Sequence, residues 1–251
     1  MKQILGMMRR ACDAFDMIQD GDRIAIGVSG GKDSMLLLYA MRLFRQYLKK
    51  DFSFVSLTVD VGFPGFDAKG IEAYAKSLGV EHHTEKTEIF DVVFSTRGEK
   101  NPCALCSKMR KGALYDAAVK LGCNKAAFAH NLEDLLETFL LSFMFEGRLS
   151  TFAPVTELTR TGITLIRPFI YLPEKDIIGA VRKQNIPAFK NPCPVDGNTK
   201  RVVAREFIDR MLKYNPDAKK SMLAAIKSAG TYNFFDLPPG LRELAKQQKE
   251  D

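Results

Sequence analysis

The sequence predicts an α/β fold, a parallel sheet covered by helices on both faces and followed by a helical extension. Three observations predict it. Short apolar runs (RIAIGV, FSFVSLTVD, KAAFAH, TLIRPF) alternate with stretches of helical periodicity. RIAIGV reads as a short buried strand, as in a parallel sheet covered on both faces. The final part of the chain carries helical patterns and no strand-like run.

Taken in order, residues 3–18 have helical spacing, and Asp20-Gly21-Asp22 turns the chain into RIAIGV. A helix is expected over 33–47. FSFVSLTVD is a second strand, ended by the turn-rich VGFPGFD. Residues 67–78 read as a helix stopped by Gly79, and HHTEKTEIF as a third strand. A helix over 107–121, just after the cysteine pair at 103 and 106, is closed by Gly122 before the strand KAAFAH. LEDLLETFLLSFMF places Leu132, Leu135, Leu136, Phe139, Leu140, Phe143 and Met144 on one face of a core helix. TLIRPF is the last expected strand, followed by helices at 174–184, 200–213 and 217–229, and a frayed tail after Phe235. Residues 1–185 form the expected nucleotide domain with its N-terminal helix, and 186–251 the helical extension.

The chain has 251 residues, 46% of them hydrophobic, enough for one sizeable core. Its formal charge of +7 fits a polyanionic partner without requiring one. No run approaches the roughly 18 apolar residues of a membrane span. The opening MKQILGMMRR has too short an apolar core for a secretory signal, so the expected location is cytoplasmic. Five cysteines, an odd number, argue against a disulfide framework and for metal or redox use of any that cluster.

The joint Ser29-Gly30-Gly31-Lys32-Asp33-Ser34 lies between a strand and a helix, at the carboxyl end of the strand, where open parallel sheets bind ligands. Glycines let backbone amides close around an anion, and the helix N-terminus adds unpaired N–H groups and partial positive charge. Lys32 supplies a full charge and the serines supply hydroxyls. Asp33 suits a Mg²⁺ ion that neutralises phosphate, or a favourable first-turn carboxylate. The pattern is neither the Walker motif nor the dinucleotide fingerprint.

Cys103 and Cys106 form a C-x-x-C, and Cys193 lies in a Pro-rich loop, KNPCPVDGNTKR. Cys12 and Cys123 read as small buried hydrophobes. Three candidate ligands leave open a zinc site completed by a fourth group, a redox pair, or a four-iron cluster with one iron left open.

SGGKDS after an apolar strand resembles the PP-loop of the ATP pyrophosphatase superfamily. The wider series resembles the tRNA 2-thiocytidine synthetase family. FDMIQDGDRIAIGVSGGKDS, Asp60 with Pro64-Gly65-Phe66, CALCSKMRKGALY, Leu165-Ile166-Arg167-Pro168 and NPCPVDGNTKR are all similar to its motifs. The resemblance covers about residues 1–230. It implies an adenine nucleotide alpha hydrolase-like, Rossmann-type domain that uses ATP and Mg²⁺. It also implies a 4Fe-4S cluster on Cys103, Cys106 and Cys193, and transfer of sulfur to a tRNA base with release of AMP and pyrophosphate. A sulfur donor (a cysteine desulfurase or free sulfide) is implied as a partner, and family members often form homodimers. The chain departs from the family's usual GHHRDD, with Ala129-His130-Asn131-Leu132-Glu133-Asp134 in its place; His130 and Asp134 hold their positions.

Within that frame, Lys32, the loop amides and Arg167 are the expected phosphate contacts, Arg167 having ion pairing at a strand end as its alternative. His130 is a phosphate contact, a general acid or a core histidine; Asp134 shares Mg²⁺ with Asp33 or merely opens a helix. The adenine is expected against Gly27-Val28 and the end of the second strand, up to Asp60. Lys108, Arg110 and Lys111, with Lys200, Arg201, Arg205, Arg210 and Lys213, are the candidate tRNA contacts. Two competing readings are another PP-loop ligase, similar to lysidine synthetase, and a non-catalytic nucleotide-binding module with a structural zinc.

Overall fold

The computed structural model describes residues 1–96, 102–190, 192–193 and 200–228. Six strands form one sheet in the order β3-β2-β1-β4-β6-β5. They are β1 (Arg23–Gly27), β2 (Ser53–Asp60), β3 (His82–Lys86), β4 (Lys125–Ala127), β5 (Val155–Leu158) and β6 (Ile163–Ile166). All pairs are parallel except β5 with β6. Helices α1 (Lys2–Ala14), α2 (Lys32–Tyr47), α3 (Ala68–Ser77), α4 (Pro102–Lys120), α5 (Leu132–Glu146) and α6 (Glu174–Lys183) cover the sheet, and α7 (Lys200–Tyr214) and α8 (Ala218–Ser228) pack outside it. Side chains leave a strand alternately to its two faces. Thus Ile24 and Ile26 join a core with Met8, Leu37, Leu136 and Phe169, while Ala25 joins a second core with Leu57, Leu114 and Leu165.

The expected α/β architecture is present, with four local differences. The edge strand β5 was not expected. It returns antiparallel to β6 through a turn in which Gly162 has φ +70°, a conformation glycine adopts without strain. The first helix stops at Ala14 rather than 18, because Asp16 turns the backbone to φ +45°. The strand expected over HHTEKTEIF ends at Lys86, where its partner β2 also ends, and a π-helical stretch Asp91–Thr96 follows. The cysteine pair lies inside α4, not before it: Pro102 opens this helix, where a missing N–H costs nothing.

Two of the residues expected in the core face of α5 face solvent instead. Burial on α5 ends at Ser142, and Phe143 and Met144 in the last turn are exposed. The tail expected to fray after Phe235 lies outside the described residues.

The C-terminal helices are held by charge. Glu137 of α5 is 1% exposed and accepts from Arg205 Nε at 3.0 Å and Arg201 Nη1 at 3.3 Å. Glu133 accepts from Lys219 Nζ of α8 at 2.7 Å and from the backbone N–H of Glu174 at 2.7 Å. Arg201 and Arg205, read from sequence as tRNA contacts, therefore bind α7 to α5.

Candidate functional site

The strand order reverses between β1 and β4, so their carboxyl ends open a crevice where α/β sheets bind ligands. The chain leaves β1 through Val28-Ser29-Gly30-Gly31 into α2. It leaves β4 through Phe128-Ala129-His130 into α5. A cavity of about 530 Å³ fills the crevice. Its volume is in the range of small-ligand sites, roughly 300–1,000 Å³.

The loop is preshaped. Gly30 stands at φ +85°, which a side chain would oppose. Ser29 N donates to Ser34 Oγ at 3.1 Å, and that hydroxyl donates to the Gly31 carbonyl at 2.9 Å. Gly31 caps α2 with no side-chain bond, leaving the helix's first N–H groups available to an anion.

Lys32 is turned away from this space. Its Nζ donates to Glu174 Oε1 at 2.8 Å and Asp33 Oδ2 at 3.1 Å. Burial works against its ammonium, but the hydrogen bond to Glu174 and the charge of Asp33 prevail and raise its pKa. Burial pushes the Asp33 carboxyl up, and its Oδ1 is buried without a partner.

His130 lines the cavity with its Nδ1 buried and unpartnered. Burial, then the positive charges of Arg167, Lys111, Arg201 and Arg110, push its pKa down to about 3. The imidazole is neutral at neutral pH, so it offers a hydrogen bond rather than a charge. The unfolded residue takes up a proton near its ordinary 6.5. In the window between, the unfolded chain binds more protons, and stability falls as pH falls, by about 1.4 kcal/mol per pH unit from this group. His130→Gln is expected to flatten the dependence of Tm on pH from about 6.5 down to about 4. A slope equal to that of the parent chain would contradict the buried neutral state.

Asp134 lines the cavity and closes a capping box: Asp134 Oδ2 accepts from Asn131 N at 3.0 Å, and Asn131 Oδ1 accepts from Asp134 N at 3.1 Å. Its Oδ1 accepts from Arg201. Arg167 is 7% exposed; its guanidinium donates to the Ala153 carbonyl and to Thr156 Oγ1 and lies over the Phe152 ring. Burial lowers its pKa to about 10. Asp60 accepts from Gly62 N at the end of β2.

Cys103 and Cys106 sit one turn apart near the start of α4, and Cys193 comes from the segment after α6. All three line the same cavity as the loop. Burial raises the Cys106 thiol, with Arg110 opposing and Cys193 and Cys103 adding to the shift. Among the described residues, no three His, Cys, Asp or Glu side chains converge on one point closely enough to hold a single metal ion. A four-iron cluster makes a different demand, since each cysteine takes a different iron. Three thiols lining one cavity fit that donor set. Cys12 and Cys123 are buried elsewhere, as expected of small hydrophobes.

The structure thus brings Val28, Ser29, Gly31, Asp33, Ser34, His130, Asp134, Cys103, Cys106 and Cys193 to one space, while Gly30, Lys32, Asp60 and Arg167 stand outside its lining. Sequence reading missed the aromatic wall, in which Phe63, Phe66, Phe94, Phe128 and Phe189 take part. Only Phe66 carried a signal, through its turn motif. Arg110 and Lys111 also line the cavity and make no ion pair among the described residues.

Residues 5–212 match the family model described as a PP-loop domain. The tRNA-cytidine(32) 2-sulfurtransferase of Geobacter sulfurreducens is 36% identical over 239 residues, covering 94% of this chain and 93% of the relative. The enzyme of the same name from Syntrophotalea carbinolica is 30% identical over 94% of this chain and 92% of its own length. The U34-tRNA thiolase NcsA of Methanococcus maripaludis, solved with its [4Fe-4S] cluster, shares the fold: TM-score 0.72 at 21% identity, covering 89% of this chain and 77% of that one. The chain belongs to the PP-loop family, in its branch of tRNA-cytidine(32) 2-sulfurtransferases.

Proposed function

We propose that this protein thiolates cytidine in tRNA at carbon 2, at the expense of ATP. The observation that carries the reading is the shared cavity: the phosphate-shaped loop and three cysteines face one space. The cytidine O2 attacks the α-phosphorus of ATP, and pyrophosphate leaves. A sulfur nucleophile then attacks carbon 2, and AMP leaves with the former O2. Bound to Cys103, Cys106 and Cys193, a 4Fe-4S cluster would supply that sulfur through the iron that no cysteine holds.

This chain's own residues do the rest. The Gly31 to Ser34 amides hold the pyrophosphate, and Arg110 and Lys111 add charge that stabilises the phosphorane-like transition state. Asp33, with its buried unpartnered oxygen, suits a Mg²⁺ on the phosphates. Neutral His130 donates or accepts one hydrogen bond. Lys108, Lys200, Arg210 and Lys213 lie outside the ion pairs of α5 and are the remaining candidates for tRNA phosphates. Residues 1–185 serve as the nucleotide unit and 186–251 as the extension that brings the third cysteine. A cytoplasmic location, a desulfurase or sulfide donor and a homodimer complete the reading; no described helix is long and apolar enough to cross a membrane.

Mass spectrometry of tRNA nucleosides tests it. Cells lacking this protein are expected to lose 2-thiocytidine alone, and its persistence would refute the assignment.

A further inference from the structure

The one basic side chain of the Ser29–Ser34 loop does not line the space that the loop faces. Lys32 Nζ stands 2.8 Å from Glu174 Oε1 and 3.1 Å from Asp33 Oδ2. Asp33 lines the cavity, whereas Lys32 and Glu174 do not. The ammonium is therefore one carboxylate away from the cavity, at the end of a flexible four-carbon stem.

Its holder is fixed independently of it. Glu174 is the first residue of α6, and its backbone N–H donates to Glu133 Oε2 at 2.7 Å. Glu133 Oε1 accepts in turn from Lys219 Nζ of α8 at 2.7 Å. Glu133 is buried in the first turn of α5, next to the Asp134 that lines the cavity. The start of α6 thus stays in place whatever the Glu174 side chain does. A second acid in the same turn, Asp176, keeps that helix start favourable when Glu174 is neutralised.

We propose that Glu174 is a positioning residue: it holds Lys32 off the phosphates while the loop is empty and yields it to a polyphosphate that enters. Two carboxylates around one ammonium leave a net negative charge, which opposes an incoming polyphosphate. Once in the loop, the polyphosphate offers the ammonium more negative charge than one carboxylate does. The transfer breaks a charge-assisted hydrogen bond, and the apparent affinity for ATP is reduced by the fraction of molecules in which Lys32 is held. This inference rests on the proposed function in taking ATP as the ligand of the loop.

The test is a double-mutant cycle on ATP affinity, measured by equilibrium dialysis with Mg²⁺ on the full-length protein. Glu174→Gln keeps the size of the side chain and the backbone bond to Glu133. It is expected to tighten ATP by about five- to tenfold, between the worth of an exposed ion pair and that of a charged hydrogen bond. In the Lys32→Met chain the same substitution should change ATP affinity by less than about twofold. AMP lacks the pyrophosphate that the loop holds, and it should bind alike to the parent and Glu174→Gln chains. Glu174→Asp is the second variant, in case the first fails to fold. It keeps the charge but withdraws the carboxylate by one methylene, and should tighten ATP by a smaller factor that is likewise lost in the Lys32→Met chain.

ATP binding that is unchanged or weaker in both Glu174 variants would overturn the inference, since Glu174 would then be only a tie between α2 and α6 or would hold Lys32 in its working position. Tightening that persists undiminished in the Lys32→Met chain, or that extends equally to AMP, would overturn it too, because the carboxylate would then act on the nucleotide directly through its field. A parent chain that binds no ATP would bring down the proposed function together with this inference, and its own dialysis curve separates that outcome from the others.

Discussion

Replacing Cys193 with alanine is expected to abolish thiolation while leaving ATP affinity unchanged. Cys193 comes from a different segment than Cys103 and Cys106, and it makes no part of the Ser29–Ser34 loop. Its loss removes one of three thiols from the cavity and leaves the phosphate-binding amides where they are. A cluster on two cysteines lacks the donor set that holds it. The fall in turnover should exceed the roughly 10–100-fold that follows loss of a residue merely supporting a metal ligand. After anaerobic reconstitution, iron content and visible absorption should drop with it. Iron content equal to that of the parent chain would contradict the assignment of Cys193. A parallel loss of ATP binding would mean that the thiol serves the fold rather than the chemistry.

The largest expected effect on stability is far from the cavity. Asp22 and Lys125 form a buried ion pair at 2.8 Å, with side chains 4% and 9% exposed. Asp22 also accepts from Gln19 N at 2.6 Å and from Asn124 Nδ2 at 2.8 Å, and Lys125 donates to the Met17 carbonyl at 3.1 Å. The cluster ties the turn after α1 to the first residues of β1 and β4, the two strands whose far ends form the site. Such a pair contributes little over an apolar pair, but breaking it strands a buried charge. Asp22→Ala is expected to cost about 3–5 kcal/mol. At about 2–4 °C per kcal/mol for a chain of this size, Tm should fall by roughly 10 °C. Adding Lys125→Met to Asp22→Asn leaves no buried charge and should recover most of the loss. Equal Tm values for the Asp22→Ala and parent chains would show that Lys125 finds water or another partner.

Much of this arrangement was legible in the sequence wherever local chemistry dictates structure. The loop Ser29–Ser34 demands glycines at a strand–helix joint, and the structure has them there, one at a left-handed φ. The strands β1, β2, β4 and β6 announced themselves by continuous apolar runs. The residues that escaped are those whose role is set by distant partners. Arg201 and Arg205 looked like free cations, yet they meet Glu137 from 64 and 68 positions away. Lys32 looked like a phosphate contact, and in this structure Glu174, 142 positions on, holds it. Phe189 sits in a stretch with no motif, and only its backbone bond to the Gly30 carbonyl shows that it meets the loop. The strand β5 is four residues, VTEL, three half-buried and Glu157 exposed, with no apolar run to mark it.

The direct measurement for the account as a whole is the stoichiometry of one reaction. Anaerobically reconstituted protein is mixed with unmodified tRNA, ATP and sulfide, and both AMP and 2-thiocytidine are counted by mass spectrometry. One AMP for each 2-thiocytidine is the predicted result, with neither formed above background by the Cys193→Ala chain. ADP in place of AMP, or a thiolated base formed without ATP cleavage, would contradict the claim that the nucleotide loop and the three cysteines serve a single reaction.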